Sequence, residues 1–458
     1  MRFCKPSYLR PAIFLLSFVI LTKFNFDSDL GLHLAYGNWF LDKGEVLRDD
    51  PFTWTLEGYN WRHAYFLFQL VVAFLFRYFG FASVVIVFGF VGALGVLILM
   101  PKKMSFQIYF STIIGLFIAA TFGGIRPHMI DFFLFCSLLV LLVNRQYEKA
   151  KFVPIWFILF AAWANLHGGY LVGLLVFTCY TFLDYLKRRM AREQIKPTVT
   201  AFSVVSAWIG TLVTPFGLNF GHSFRDYLNL DVLIYIQEFQ PLVYFSPLNL
   251  LFSLSGIIFV YLTIKTGLGR DIPWLAMGLV LFALPFLAAF FCTFWAAYFI
   301  FICVKYLKFS VRLQLNFFRK LSILLVVCLV HLAIIWHFLS TIRPLDEEIR
   351  NNYPEAAVSF IADHGIDEGL FNDLAWGGYI IWKYPGIKVF IDGRDGWRMA
   401  SGRSHLSEYI LMLRGDCDVF AAYNVMTVLV KSDFENDCLG GLEEVYRDKL
   451  AKVLVKAD

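Results

Sequence analysis

Charged residues are scarce in this sequence. Asp, Glu, Lys and Arg make up 16% of the 458 residues, whereas about a quarter is usual for a soluble domain. Hydrophobic residues reach 59%, and the mean hydropathy is +0.64. Since a soluble fold cannot bury so many apolar stretches, the composition predicts a protein that crosses the bilayer many times. The net charge of +5 is too small to indicate nucleic-acid binding.

Several signals of soluble enzymes and secreted proteins are also missing. The chain has no Walker motif, no Gly-rich phosphate loop and no Ser-His-Asp order, and its eight cysteines lack zinc-binding spacing. Cys417 and Cys438 lie in a polar tail, where they either pair in an oxidising compartment or remain two thiols. No small-residue cleavage site follows the apolar run 11–22, which predicts an uncleaved first helix with a cytoplasmic N-terminus.

Apolar runs predict eleven membrane helices, and the stretch 64–79 is predicted as an interfacial helix because Gln69 and Arg77 interrupt it. The predicted spans are 9–26, 81–100, 106–123, 129–143, 153–166, 169–186, 198–214, 247–264, 272–289, 291–307 and 320–341. With eleven spans, all five basic linkers share the cytoplasmic side with the N-terminus. With twelve, all five would fall outside. Eleven spans also place the tail outside the cytoplasm.

The predicted fold is an all-α polytopic membrane bundle over residues 1–342, followed by a small extracytoplasmic α/β domain over 343–458. The first extracytoplasmic loop, 27–80, carries two interfacial helices. In the tail, a helix is expected over 354–364. Strands are expected over 378–383, 388–391 and 426–430.

The first loop begins with two carboxylates, Asp27 and Asp29, at a membrane boundary. Such a pair can bind a divalent cation such as Mg²⁺ or Mn²⁺ through oxygen, or one carboxylate can act as a general base. The local alternative is helix capping by Asp27 and Ser28 before an amphipathic helix.

Other polar residues lie at predicted helix ends on the same side of the membrane. Arg126 has the donor geometry to bind a phosphate or pyrophosphate, or it extends to lipid headgroups. Polar and ionisable groups at such positions tend to face cavities; the other candidates are His128, Asn165, His167 and, more weakly, Glu238. For His167 the alternative is a packing histidine at a helix turn, with its hydrogen bonds satisfied. Asp392 and Arg394 follow a predicted strand, where either a ligand site or an Asp-Gly turn is typical.

These motifs together resemble the GT-C superfamily of integral membrane glycosyltransferases, and more closely a little-characterised group of bacterial GT-C-like membrane proteins. The matching positions run from the first loop to the tail: Asp27, Asp29, Leu30, Gly31, His33, Leu34, Asp50, Pro51, Phe52, Arg126, Pro127, Trp163, Asn165, His167, Gly168, Gly169, Thr214, Pro215, Gly217, Asn372, Asp373, Trp376 to Tyr379 and Phe390 to Arg394. Where the group often has His-Glu-Trp, this chain has His63-Ala64-Tyr65 and so lacks one carboxylate.

The resemblance implies transfer of a sugar from a polyprenyl-phosphate or polyprenyl-pyrophosphate donor to an envelope glycan, lipid or protein, on the outer face of a bacterial inner membrane. Asp27 or Asp29 would act as the base or bind a metal. Arg126, with His128 or His167, would stabilise the leaving phosphate, and His33 and His63 are further candidates. The alternatives are a transporter or flippase, or a non-catalytic partner subunit for envelope glycolipids.

Overall fold

The computed structural model describes residues 9–56, 58–59, 65–102, 104–217, 235–242, 246–307, 332–394 and 403–457. His63 lies outside the described residues, and the span predicted at 320–341 is described only from residue 332.

The described part of the chain is mainly helical. The helices that precede the tail are α1 (Leu9–Leu21), α2 (Ser28–Lys43), α3 (Phe66–Phe79), α4 (Phe81–Leu99), α5 (Phe106–Ala120), α6 (His128–Val143), α7 (Val153–Ala164), α8 (Tyr170–Met190), α9 (Pro197–Thr211), α10 (Ser246–Lys265), α11 (Ile272–Ala283), α12 (Cys292–Tyr306) and α13 (Leu332–Thr341). Each predicted span overlaps one of them, and the predicted interfacial stretch 64–79 overlaps α3. These apolar runs are therefore helices, as the sequence predicts.

Four helical segments in the described part of the chain are long and apolar enough to cross a membrane: Phe81–Leu99, Tyr170–Met190, Leu248–Lys265 and Ala289–Tyr306. The other apolar helices have 10–17 residues, and a perpendicular span needs about 20. The structure is thus consistent with a membrane protein.

The chain divides into two compact units. We call Met1–Phe24, Val84–Thr214 and Glu238–Ile342 the helical unit, and Asn25–Ser83, Pro215–Gln237 and Arg343–Asp458 the tail unit. The first loop therefore belongs to the same unit as the C-terminal tail. Each unit is described below by itself.

In the helical unit, α12 lies at the centre of the packing. All residues from Cys292 to Cys303 are buried, and α12 packs against α5, α6, α10 and α11. Helix α5 presents Gly115 to Ile300, at a spacing that leaves no room for a Cβ atom. Among the described residues, the largest enclosed side chains of this unit are Trp156, Trp163, Trp274, Trp295, Tyr109, Tyr147, Tyr298, Phe132, Phe135 and Phe160.

The tail unit contains a four-stranded sheet in the order β1-β2-β4-β3. The strands are β1 (Leu370–Asn372), β2 (Thr427–Lys431), β3 (Leu442–Arg447) and β4 (Ala451–Lys456); the helices are α14 (Leu345–Asn352), α15 (Glu355–His364), α16 (Leu374–Lys383), α17 (His405–Leu413) and α18 (Cys417–Ala422). β1 runs parallel to β2, and the other pairings are antiparallel. Phe371, Phe390, Tyr409 and Val428 form the centre of its core.

Three of the four local predictions for the tail can be settled directly. The helix at 354–364 and the strand at 426–430 are confirmed by α15 and β2. The strand predicted at 378–383 is wrong, because these residues belong to α16, which Asp373 caps through Ala375 N at 2.9 Å. Gly378 packs against the backbone of Ser28 in α2, a contact that a side chain would block.

The strand predicted at 388–391 is reduced to a single parallel bridge between Val389 and Thr53. The choice left open for Cys417 and Cys438 is resolved by a disulfide between them.

Candidate functional site

In the helical unit, the turn between α7 and α8 brings several predicted residues together. Asn165 ends α7, and its Nδ2 donates to Ala161 O at 2.8 Å and to Val213 O at 2.7 Å. Asn165 therefore ties the end of α7 to the segment after α9. Its amide serves the backbone, which explains its place in the turn without a ligand.

Next to this turn lies a buried carboxylate that sequence reasoning missed. Asp131, in the first turn of α6, has no exposed side-chain surface. Its Oδ1 accepts a hydrogen bond from Trp163 Nε1 at 2.7 Å, and its Oδ2 pairs with His167 Nδ1. Residues of α6, α7 and the following turn thus meet at one carboxylate.

The two glycines after His167 have different surroundings. A Cβ atom at Gly169 would collide with the Asp131 carboxylate, whereas a Cβ at Gly168 would meet no atom within 4 Å. Only the second glycine is therefore required by packing. Its missing side chain gives Asp131 the space to reach His167.

His128 lies beside this pair. It is the first residue of α6 and is 5% exposed. Its ring centroid is 4.8 Å from that of His167, and Phe122 and Phe290 flank it. Its Nδ1 is buried and has no hydrogen-bond partner in the part of the chain that the structure describes. Since buried polar atoms are nearly always bonded, an orphaned nitrogen at this position calls for an explanation.

Arg126 precedes His128 by two residues, and its NH1 donates to Glu238 at 3.0 Å. Both side chains are about one-third exposed, at 32% and 30%. The N-terminal end of a helix favours anions because its backbone N–H groups point outward. The three residues predicted to bind phosphate, Arg126, His128 and His167, all lie in the helical unit near the first turn of α6. This end of the helix is thus suited to an anion.

In the tail unit, the two loop carboxylates have different roles. Asp27 caps α2, where its Oδ1 accepts from Asp29 N at 3.1 Å. This geometry supports the capping interpretation for Asp27. The Asp29 carboxylate packs against Gly393, where a Cβ would collide with its Oδ1. The structure thus brings Asp29 to the Asp392-Gly393-Arg394 turn.

Arg394 lies in a buried ionic network. Its Nε donates to Asp392 Oδ1 at 2.7 Å, and its NH1 contacts Asp50 Oδ1 at 2.7 Å and Tyr36 Oη at 2.5 Å. Burial opposes the charged guanidinium, but the negative partners outweigh it and raise the pKa of Arg394. For Tyr36, burial itself is the main cause that raises the pKa of the phenol. Tyr36 and Asp50 belong to the first loop and Arg394 to the tail, so this network joins the first loop to the tail within the tail unit.

His33 serves packing in the same unit. It is buried, with its ring 5.6 Å from Tyr65 and 4.8 Å from Phe68. Such contacts between rings are typical of an aromatic core. Nothing in these contacts requires a ligand.

The described residues contain no group of three or more His, Cys, Asp or Glu side chains placed to hold a metal ion. Asp27 and Asp29 supply two carboxylates, and one oxygen of Asp27 already caps a helix. Mg²⁺ often binds one or two carboxylates together with substrate phosphates. The pair would fit only a cation of that kind, with most ligands supplied by substrate and water.

The sequence did contain a signal for Asp131. It is an acidic residue within the predicted span 129–143, and an ionisable group inside a membrane helix is by default a candidate for function. Tyr36 and the pairing of Asp50 with Arg394 carried no comparable local signal.

The chain matches no family model, and a search of curated proteins finds no match.

Proposed function

We propose that this protein is a GT-C-type glycosyltransferase of a bacterial inner membrane. It would transfer a sugar from a polyprenyl-phosphate or polyprenyl-pyrophosphate donor to an envelope glycan, lipid or protein on the extracytoplasmic face. The observation that carries the proposal is the cluster of Arg126, His128 and His167 around the start of α6. One of its buried nitrogens, Nδ1 of His128, has no hydrogen-bond partner among the described residues.

We further propose eleven spans, a cytoplasmic N-terminus and an extracytoplasmic tail. The distribution of Lys and Arg supports this topology. The disulfide between Cys417 and Cys438 supports it independently, because disulfides persist in oxidising compartments and are rare in the cytosol.

Within the helical unit, Arg126 would bind the donor phosphate. Its guanidinium presents several donors that match phosphate oxygens, and the N-terminal end of α6 adds favourable electrostatics. Glu238 holds the guanidinium from one side. As the sugar leaves, negative charge grows on the phosphate, and these donors would stabilise it.

Within the tail unit, Asp29 is the better candidate for the base, because Asp27 is engaged as a helix cap. The acceptor oxygen would form a bond to the anomeric carbon while its proton passes to the Asp29 carboxylate. The bond between that carbon and the phosphate oxygen would break, and its electron pair would stay on the phosphate. Inversion at the anomeric carbon follows by analogy with the superfamily.

The two assignments are tested separately with purified protein in nanodiscs and a panel of polyprenyl-phosphate hexoses and pentoses. Arg126→Gln should weaken donor binding by about 10- to 100-fold, the value of a hydrogen bond to a charged group. Asp29→Asn should leave binding unchanged and abolish release of polyprenyl phosphate.

Arg77→Gln is the matched control. Arg77 also pairs with a carboxylate, Asp42, and its side chain is 33% exposed, close to that of Arg126. Its removal should change neither binding nor turnover. Donor binding without turnover on any acceptor would favour the flippase or partner-subunit alternative, and no binding by the wild type would refute the transferase.

A further inference from the structure

We propose that Asp131 is a positioning residue for donor recognition: it orients His167 so that Nε2 of this histidine donates to the donor phosphate. The inference rests on the proposed function and deepens it. It adds a residue that the motifs did not identify, and it names the ligand group as the phosphate of a polyprenyl-linked donor.

The first argument is the rigidity of the carboxylate. Both oxygens of Asp131 are engaged, one by Trp163 Nε1 at 2.7 Å and the other by His167. Trp163 is itself enclosed and stacks on Phe160, with ring centroids 5.8 Å apart. A carboxylate fixed at both oxygens holds the imidazole in one orientation, as carboxylates do behind histidines that bind metals or substrates.

The second argument concerns the ring nitrogens of His167. Because Nδ1 faces a carboxylate, it carries a proton, and Nε2 is the nitrogen directed to the other side of the ring. When the ring is protonated, Nε2 is also a donor. An imidazolium between the Asp131 carboxylate and a phosphate would be neutralised on both sides.

The third argument is independent of Asp131. His128 is more than nine-tenths buried, and its ring centroid lies 4.8 Å from that of His167. Its Nδ1 has no hydrogen-bond partner within the described ranges. A bound phosphate would give this nitrogen a partner. The described charged groups next to the two rings are Asp131, which pairs with His167, and Arg126, whose NH1 donates to Glu238.

The competing explanation is that Asp131 and His167 form a purely structural pair. Two substitutions of His167 distinguish this explanation from phosphate binding. Asparagine places its amide near the position of Nδ1 and keeps the bond to Asp131. Glutamine extends its amide towards the position of Nε2 and keeps the donor for the ligand. We measure affinity for polyprenyl phosphate and for uncharged polyprenol in nanodiscs, after checking that each variant elutes as folded protein.

The inference expects His167→Asn to lose affinity for polyprenyl phosphate by about 10- to 100-fold. His167→Gln keeps the donor for the ligand but loses the bond to Asp131, so it should lose less affinity than His167→Asn, by about threefold to tenfold. Polyprenol binding should be equal in all three proteins. Full affinity in His167→Asn would overturn the inference. An equal loss for polyprenol would also overturn it, since His167 would then act on the chain and not on the phosphate.

Asp131→Asn and Tyr147→Phe form the second comparison, because Tyr147 also donates to a buried carboxylate of the helical unit, Asp184, but lies outside the cluster. Asp131→Asn should weaken phosphate binding by about tenfold, while Tyr147→Phe should retain wild-type affinity. Equal affinities would overturn the positioning role. If Asp131→Asn fails to fold, the comparison of His167→Asn with His167→Gln still tests the inference. Failure of the wild type to bind polyprenyl phosphate refutes the proposed function itself, whereas wild-type binding with a reversed Asn and Gln order refutes only this inference.

Discussion

Arg126 in the helical unit and Arg394 in the tail unit both contact carboxylates, but their surroundings differ. Arg394 is enclosed, and Asp392, Asp50 and Tyr36 satisfy its donors. Arg126 is one-third exposed, and its NH1 pairs with the carboxylate of Glu238. Asp392 and Arg394, which were predicted to follow a strand, thus belong to a buried structural ion network, whereas the less conspicuous Arg126-Pro127 turn leads into the cluster that suits an anion.

The difference lies in whether each arginine can still bind a ligand. A guanidinium with two carboxylates at 0% side-chain exposure has no capacity left for a substrate. The guanidinium of Arg126 is one-third exposed and lies beside a histidine whose buried Nδ1 has no hydrogen-bond partner among the described residues, so a ligand can still reach it. The predictions below test this contrast, beginning with the largest effect.

Arg394→Met should be the most damaging change. It would leave Asp392 and Asp50 buried without their cation, and loss of one partner of a buried ion pair costs about 3–5 kcal/mol. We expect the tail unit to lose protection in hydrogen exchange of the full chain, most clearly in β1 and β2. Arg126→Gln is the comparison and should leave that protection intact. Equal protection in both variants would contradict the structural role of the buried network around Arg394.

Loss of the disulfide should come next. Cys417 and Cys438 are separated by 21 residues, and a loop of this size stabilises a fold by about 3 kcal/mol. The double substitution to serine should lower the free energy of unfolding of the tail unit by that amount. Cys136, Cys292 and Cys303 are buried thiols of the helical unit; Cys136→Ser is the control and should leave the tail unchanged.

The glycine pair after His167 tests the packing around Asp131. Gly169→Ala would push a methyl group into the Asp131 carboxylate, and overpacking of this kind costs about 1–3 kcal/mol. We expect weaker polyprenyl-phosphate binding and a lower melting temperature. Gly168→Ala, which meets open space, should behave like the wild type. If the two variants behave alike, the close approach of Asp131 is not essential.

A smaller effect is expected from acid on the tail unit. Burial lowers the pKa of His405, whose Nε2 lies 2.8 Å from Phe390 O and whose ring stacks on Phe390. The unfolded chain has a histidine pKa of about 6.5 and binds the proton more readily than the folded one. Stability should therefore be complete above that pH and decline as the pH falls below it.

The measurement is hydrogen exchange of the segment around His405 at a series of pH values, corrected for the intrinsic rate. His405→Gln keeps a donor for Phe390 O but does not titrate, and it should lose this part of the acid sensitivity. Acid sensitivity that is unchanged in the variant would assign it to other groups.

Much of the helical architecture follows from the sequence because long apolar runs have few other folds. The tail was harder to predict. β1 has three residues, too few to show the alternation of apolar and polar residues that marks a strand. The role of Gly378 in α16 becomes clear only from its close contact with Ser28 of α2. The contact between Tyr36 and Arg394 joins positions 358 residues apart, and no local signal announces such a pair.

The site shows the same division. Asp131 was predictable, because an acidic residue within an apolar helix is costly unless it is paired. Its partners were not, since Trp163 and His167 reach it through the packing of α6 against the following helices. Sequence alone therefore located the polar residues. It could not tell that Arg394 belongs to a buried structural network and that Arg126 belongs to a candidate anion-binding cluster.

The most direct test is the affinity of the purified protein for polyprenyl phosphate in the Arg126→Gln and Arg126→Lys variants, measured beside the wild type at one ionic strength. If the helical unit holds the phosphate, the wild type binds, Arg126→Gln loses about 10- to 100-fold, and Arg126→Lys falls between them because a single ammonium replaces the fork of donors. Equal affinity in all three proteins, or no binding by the wild type, would contradict the account.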